Sequence, residues 1–270
     1  MSGLLIFGCG KMGGAFLNGA LKNGQSPDGI RVVEPNAEIR ASLKNMNVIA
    51  AETPEPFSDF CPDAVFVAVK PFLIENIIND VKAFTDKGAV LLSIVAGRPV
   101  AWFEEKLGKT AAIVRAMPNT PAAVGRGITG IFANKAVSDE QKNYVKSLLN
   151  ACGDTLDLKN EDLMDAVTAV SGSGPAYVFY LTEALAQAAE ATGLNRADAE
   201  RLARATVVGA AELMRQSPET PETLRKNVTT PNGTTAAALA VLTDENSGFA
   251  PLMTKAVKAA EKRSKELATA

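Results

Sequence analysis

A doubly wound α/β domain followed by an all-α domain is the fold class this sequence predicts, and three observations carry the prediction. Short β-rich runs alternate with helical stretches from residue 4 to about residue 158, the pattern of βα units that wind a parallel sheet. The first run leads directly into Gly8-Cys9-Gly10-Lys11-Met12-Gly13, a G-x-G-x-x-G that opens a helix. Beyond Asp162 alanine, leucine and glutamate dominate, and no further strand pattern occurs. The 270 residues suffice for two domains of ordinary size, and the shift in composition sets their expected extents at 1–158 and 159–270.

In the first part the candidate strands are 4–8, 30–34, 64–69, 89–95, 111–116 and 127–133. They are mostly apolar throughout rather than alternating, as strands buried on both faces are. In the second part the expected helices span 161–170, 175–192, 196–215, 219–227, 234–243 and 249–268, punctuated by Gly193, Pro218, Pro221, Pro231 and Gly248. Residues 175–191, PAYVFYLTEALAQAAEA, are apolar nearly all round, which calls for packing on several sides. In a domain of only about 110 residues part of that cover is expected from another subunit, so a homodimer or larger assembly is expected.

Thirty acidic and 28 basic side chains leave a net charge of −2. Without long runs of one sign there is no footprint for nucleic acid or a membrane surface, and a small-molecule partner is expected. Cys9, Cys61 and Cys152 are odd in number and widely spaced, which fits reduced, mostly buried thiols rather than a disulfide framework or a zinc site. The start MSGLLIFGCGKMGG has no basic leader region, and no apolar run approaches the ~20 residues of a membrane span. A cytoplasmic protein is the expectation. The chain contains no histidine, so its chemistry must do without the commonest acid–base group, and no metal is expected.

The glycine motif carries a specific physical demand. Small residues let the backbone turn tightly and approach a pyrophosphate, which then rests on amide groups and the positive end of the helix. Gly8, Gly10, Lys11, Met12 and Gly13 are the expected dinucleotide-binding residues of a Rossmann-type domain. The next strand ends at Glu34, 21 residues beyond Gly13, where a carboxylate accepts hydrogen bonds from an adenosine ribose and favours NAD. Asn36, Arg31 and Arg40 stand close in sequence and are compatible with a 2′-phosphate, so both cofactors stay open.

Two further loops follow strands on the carboxyl edge of the sheet, where ligands of open α/β sheets bind. In Val69-Lys70-Pro71 the proline ends the strand and leaves Lys70 at the edge, either as a solvated lysine or as a ligand contact. In Arg115-Ala116-Met117-Pro118-Asn119-Thr120-Pro121 two prolines stiffen the connection; it is a rigid turn or a mount for Met117, Asn119 and Thr120 beside a nicotinamide. In the helical part, Val228-Thr229-Thr230-Pro231-Asn232-Gly233-Thr234-Thr235 precedes a helix and offers more hydroxyls than a cap requires, a receptor for a small carboxylate. Ser171-Gly172-Ser173-Gly174-Pro175 starts another helix, and its small side chains either allow close packing or floor a bound ligand.

Together these stretches resemble pyrroline-5-carboxylate reductase over essentially the whole chain: GCGKMG at the start, AVKP at 68–71, RAMPNTP at 115–121, SGSGPAYVF at 171–179 and TPNGTT at 230–235. The last is usually SPGGTT, and Thr230 and Asn232 replace the serine and first glycine; asparagine tolerates left-handed backbone, so the loop shape is expected to survive. The resemblance implies a Rossmann domain and a helical dimerisation domain, often assembled as a ring of dimers. It implies NADPH as preferred cofactor, with NADH possible, and reduction of the substrate pyrroline-5-carboxylate to proline. By motif, Gly233 and Thr234 hold the substrate carboxylate, Thr235 bonds the ring nitrogen, and Val228 contributes backbone. Lys70, Pro71, Asn119 and Thr120 flank the nicotinamide, Lys70 and Thr235 are the candidate catalytic side chains, and Ser171 and Gly172 complete the substrate site. A β-hydroxyacid dehydrogenase shares the glycine-rich start but needs a catalytic lysine that residues 160–190 do not offer after SGSG. A nucleotide-sensing regulator would not need the threonine-rich loop.

Overall fold

The computed structural model describes residues 3–268. They form two compact units, one running to Gly172 and regaining the chain from Ala260, the other Ser173–Ala259.

The first unit is built on an eight-stranded sheet of order β3-β2-β1-β4-β5-β6-β7-β8. Its strands are β1 (Leu4–Phe7), β2 (Ile30–Val33), β3 (Ile49–Ala51), β4 (Ala64–Val67), β5 (Val90–Ser93), β6 (Ile113–Met117), β7 (Gly127–Ala133) and β8 (Gly153–Asp157). Neighbours are parallel except β6 and β7. All six expected strands are present. β3 and β8 escape the sequence reading because both lie at sheet edges: β3 has only three residues, and β8 carries Asp154 and Asp157 with no buried position. A three-residue edge strand is too short to show a pattern, and a charged edge strand lacks the continuous apolar run of a central one.

Helices α1 (Lys11–Lys22), α2 (Ala37–Lys44), α3 (Ile74–Thr85), α4 (Val100–Leu107) and α5 (Asp139–Asn150) cover the sheet. One core joins Ile6, Phe66, Leu92 and Val114 to Phe16 and Leu17 of α1 and Leu149 of α5. The other joins Phe7, Val65, Leu91 and Ile113 to Val81 of α3 and Phe103 of α4. The two sets alternate along the central strands β1, β4, β5 and β6, so both faces of the sheet are buried there, as a parallel sheet requires.

The expected helix 161–170 is more broken than its composition indicates: a 3₁₀ turn Glu161–Leu163, a short α6 (Met164–Val167) and a π-helical turn Thr168–Gly172. Then come α7 (Gly174–Ala191), α8 (Arg196–Gln216), α9 (Pro221–Asn227), α10 (Thr234–Leu242) and α11 (Phe249–Ala268), each close to its expected span. In α7 only Ala186 is buried, while Val178, Phe179, Tyr180, Leu181 and Leu185 are exposed. No helix among the described residues is long and apolar enough to cross a membrane.

Candidate active site

Between β2 and β4 the sheet reverses its winding around β1, and the carboxyl ends of these strands flank the glycine loop. Gly8 takes φ +85°, a left-handed value that favours glycine, and a Cβ there would lie 3.0 Å from both Ala68 O and Val69 Cγ1. The loop therefore rests directly on the Val69-Lys70-Pro71 turn. Gly13 faces the Gly8 carbonyl so closely that any side chain would collide with it, and Gly10 opens onto free space. Helix α1 starts at Gly10, which supplies no side-chain cap, and its first turn holds no acid. The positive helix end and its amides are thus left for an external anion, and the absent Cβ atoms form a cradle that fits a dinucleotide pyrophosphate.

Glu34 is 7% exposed, and its carboxylate is turned towards this loop. Oε2 accepts from Cys9 N at 2.7 Å and Oε1 from Asn36 N at 2.9 Å. The side chain read from the sequence as a ribose acceptor therefore also clamps the glycine loop to the start of α2. Asn36 caps α2 by accepting from Glu38 N and Ile39 N. Arg40 donates to the carbonyls of Glu34 and Pro35, both at 2.7 Å. Arg31 is spent elsewhere, on the Asp28 and Ile30 carbonyls.

Further along the same edge, Lys70 is exposed with its ammonium 5.9 Å from the Phe72 ring centre. Met117 is half-buried and Thr120 exposed. Asn119 is buried, and its side-chain carbonyl accepts from Ile128 N at 3.0 Å, so it ties the proline-stiffened loop to β7. Sequence reading missed the connection after β5: Gly97, at φ +72°, lies between the Lys70 and Asn119 loops, and a glycine soon after a strand on this edge was the available signal. Ser171 does not cap α7, as its hydroxyl donates to Val167 O at 3.0 Å inside the π turn, while Pro175 stands in the first turn of α7 as expected.

The second unit carries the threonine-rich loop. Asn232 adopts φ +60°, the left-handed geometry for which asparagine was the expected substitute. Gly233 is the N-cap of α10; a side chain there would strike the Thr230 hydroxyl. Like α1, α10 has neither a side-chain cap nor an acid in its first turn. Thr229 and Thr243 spend their hydroxyls on carbonyls four residues back, whereas among the described residues those of Thr234 and Thr235 make no hydrogen bond. Val228 is exposed and Thr235 half-buried.

The family model described as pyrroline-5-carboxylate reductase dimerisation matches residues 161–267, and one described as NADP oxidoreductase, coenzyme F420-dependent, matches 4–97. The pyrroline-5-carboxylate reductase of Pseudomonas aeruginosa is 38% identical over 265 residues, 98% of this chain and 96% of that protein. The chain belongs to the pyrroline-5-carboxylate reductase family. The Escherichia coli reductase is 35% identical over 96% of this chain and 97% of its own. Among solved structures, the reductase of Coxiella burnetii superposes with a TM-score of 0.93 at 36% identity, covering 98% of each chain. That of Plasmodium falciparum, solved with NADP bound, gives 0.82 at 31% identity over 99% of this chain and 98% of that one.

Burial pushes the Cys9 thiol up to about 11, helped by the nearby charge of Glu34, and burial does the same for Cys152. Of the three thiols, only exposed Cys61 is expected to react rapidly with a charged disulfide reagent in native protein, and all three after denaturation. Fast reaction of a second native thiol would contradict the burial described.

Proposed function

We propose that the protein reduces Δ1-pyrroline-5-carboxylate to L-proline with NADPH, the last step of proline synthesis, as a homodimer or ring of dimers in the cytoplasm. The observation that carries the reading is near-full-length similarity to reductases of this one activity, joined to two uncapped helix starts, α1 and α10, suited to two anions.

In this reading Gly8, Gly10, Lys11, Met12 and Gly13 carry the pyrophosphate, Glu34 and Asn36 the adenosine end, and Val69, Lys70, Pro71, Met117, Asn119 and Thr120 border the nicotinamide. When bound, the cofactor supplies a hydride to C5 of the imine. Gly233 and Thr234 hold the substrate carboxylate on the α10 amides, with Val228 contributing backbone and Ser171 and Gly172 small-residue floor. Thr235 orients the ring nitrogen. A cyclic imine that binds protonated develops no alkoxide and needs no strong acid beside it, so positioning carries most of the catalysis in a chain without histidine.

The test is the rate of NADPH and, separately, NADH oxidation by the purified protein with Δ1-pyrroline-5-carboxylate; turnover with proline as product is expected, and folded protein without turnover would refute the reading. Glu34→Gln, which removes the charge beside the adenosine end, is expected to raise the ratio of kcat/KM for NADPH over NADH about tenfold, roughly 1.4 kcal/mol. An unchanged ratio would show that the carboxylate acts on the loop alone.

A further inference from the structure

The strand that delivers the Met117–Thr120 loop carries a charge in its interior. Arg115, on β6, is 7% exposed, and its Nη1 lies 2.8 Å from Glu161 Oε1. The same oxygen accepts from Val100 N at 2.9 Å. Val100 opens α4, whose N-cap is Pro99 and therefore has no side-chain acceptor of its own; Glu161 supplies the missing cap and an anion at the helix start from 61 residues away. Arg115 Nε is buried and has no hydrogen-bond partner among the described residues. A buried arginine paired with a half-buried glutamate and left with an unsatisfied donor is a poor way to stabilise a fold, since apolar residues of similar volume often do as well or better.

Its placement gives it another use. On one side, two residues beyond Arg115, the chain turns into Met117, Pro118 and Asn119, and Asn119 is fixed in turn to Ile128 N. On the other side, Glu161 begins the segment that leads through α6 to Ser171 and Gly172. That segment is seated on β7, where the missing side chain of Gly130 makes room for Val167: a Cβ would lie 2.8 Å from Val167 Cγ1. It is also held by Ser264, which donates to Asp165 at 2.6 Å. The ion pair directly links the strand that leads into the loop assigned to the nicotinamide with the start of the segment ending in the small-residue floor.

We propose that Arg115 and Glu161 are positioning residues for hydride transfer, holding the Met117–Thr120 loop and the 161–172 segment in one fixed geometry. The proposal rests on the reductase reading above. It assigns the pair to the chemical step and not to cofactor affinity, because the glycine loop and Glu34, assigned to the other end of the dinucleotide, follow β1 and β2 and share no hydrogen bond or ion pair with it among the described residues.

The experiment compares wild type with Arg115→Met/Glu161→Gln, which removes both charges and keeps an acceptor for Val100 N, and with Arg115→Lys. The double variant is expected to melt close to wild type and to bind NADPH with a KM changed by less than about threefold, while kcat falls about 10- to 100-fold, the scale of a small misplacement of reacting groups. Arg115→Lys, which keeps the charge but loses the planar fork, is expected to lie between them. A double variant with wild-type kcat, or one whose kcat falls only with its folded fraction, overturns the proposal. If the double variant does not fold, Arg115→Lys decides: lowered kcat at unchanged KM and melting temperature supports the pair, and wild-type kcat overturns it. Absence of turnover in the wild type run alongside would mark failure of the reductase reading instead.

Discussion

Replacing Thr235 by valine is expected to lower kcat/KM for Δ1-pyrroline-5-carboxylate by roughly 10- to 1000-fold, about 1.4–4 kcal/mol of transition-state stabilisation. The two side chains have nearly the same shape, so the change removes a hydroxyl and little else. That hydroxyl is in the first turn of α10 and makes no hydrogen bond among the described residues, unlike those of Thr229 and Thr243, which bond to carbonyls four residues back. Its loss is therefore expected to leave the fold intact and, in the proposed reading, to take an orienting group from the ring nitrogen. The loss is expected mainly in kcat, because the α10 amides proposed to hold the substrate carboxylate are unchanged. Steady-state kinetics together with a thermal melt check both halves, and an unchanged kcat/KM would remove Thr235 from the site.

Gly13→Ala is the second large effect, and it acts on the cofactor. The new methyl would meet the Gly8 carbonyl and come within 3.3 Å of Ala68 Cβ. Backbone cannot rotate out of the way as a flexible side chain can, so either α1 moves off the sheet or the loop opens. Overpacking of this kind costs about 1–3 kcal/mol of stability. Because the displaced element is the pyrophosphate cradle, the KM for NADPH is expected to rise at least about tenfold, and that for NADH with it. Gly10→Ala is the contrast, since nothing lies within 4 Å of a Cβ at Gly10: its fold should survive, and any effect falls on the ligand. Fluorescence titration of the cofactor and a melt of each variant would separate the two; equal affinity in wild type and Gly13→Ala would contradict the cradle.

Much of this arrangement was legible in the sequence, because it depends on local chemistry. Apolar runs such as AVFVAV are buried on both faces and read as central strands, and the G-x-G-x-x-G states its own turn. Asn232 announced a left-handed position through the residue that best tolerates one after glycine. What was hidden depends on distance along the chain. Glu34 lies 25 residues from Cys9, and nothing in either neighbourhood tells which way the carboxylate turns. Arg115 and Glu161 are 46 residues apart, and no local pattern around either residue pairs them. The π turn at Thr168–Gly172 was masked by a composition that suits a regular helix up to Val170, and β3 and β8 by their edge positions.

Direct hydride transfer is the central claim, and the position of the label tests it most directly. NADPH carrying deuterium on the transferred face of its nicotinamide C4 should yield proline with one deuterium at C5, in stoichiometric amount with cofactor oxidised. Proline free of deuterium, or protein that binds the reduced cofactor and leaves it unoxidised in the presence of the imine, would contradict the account.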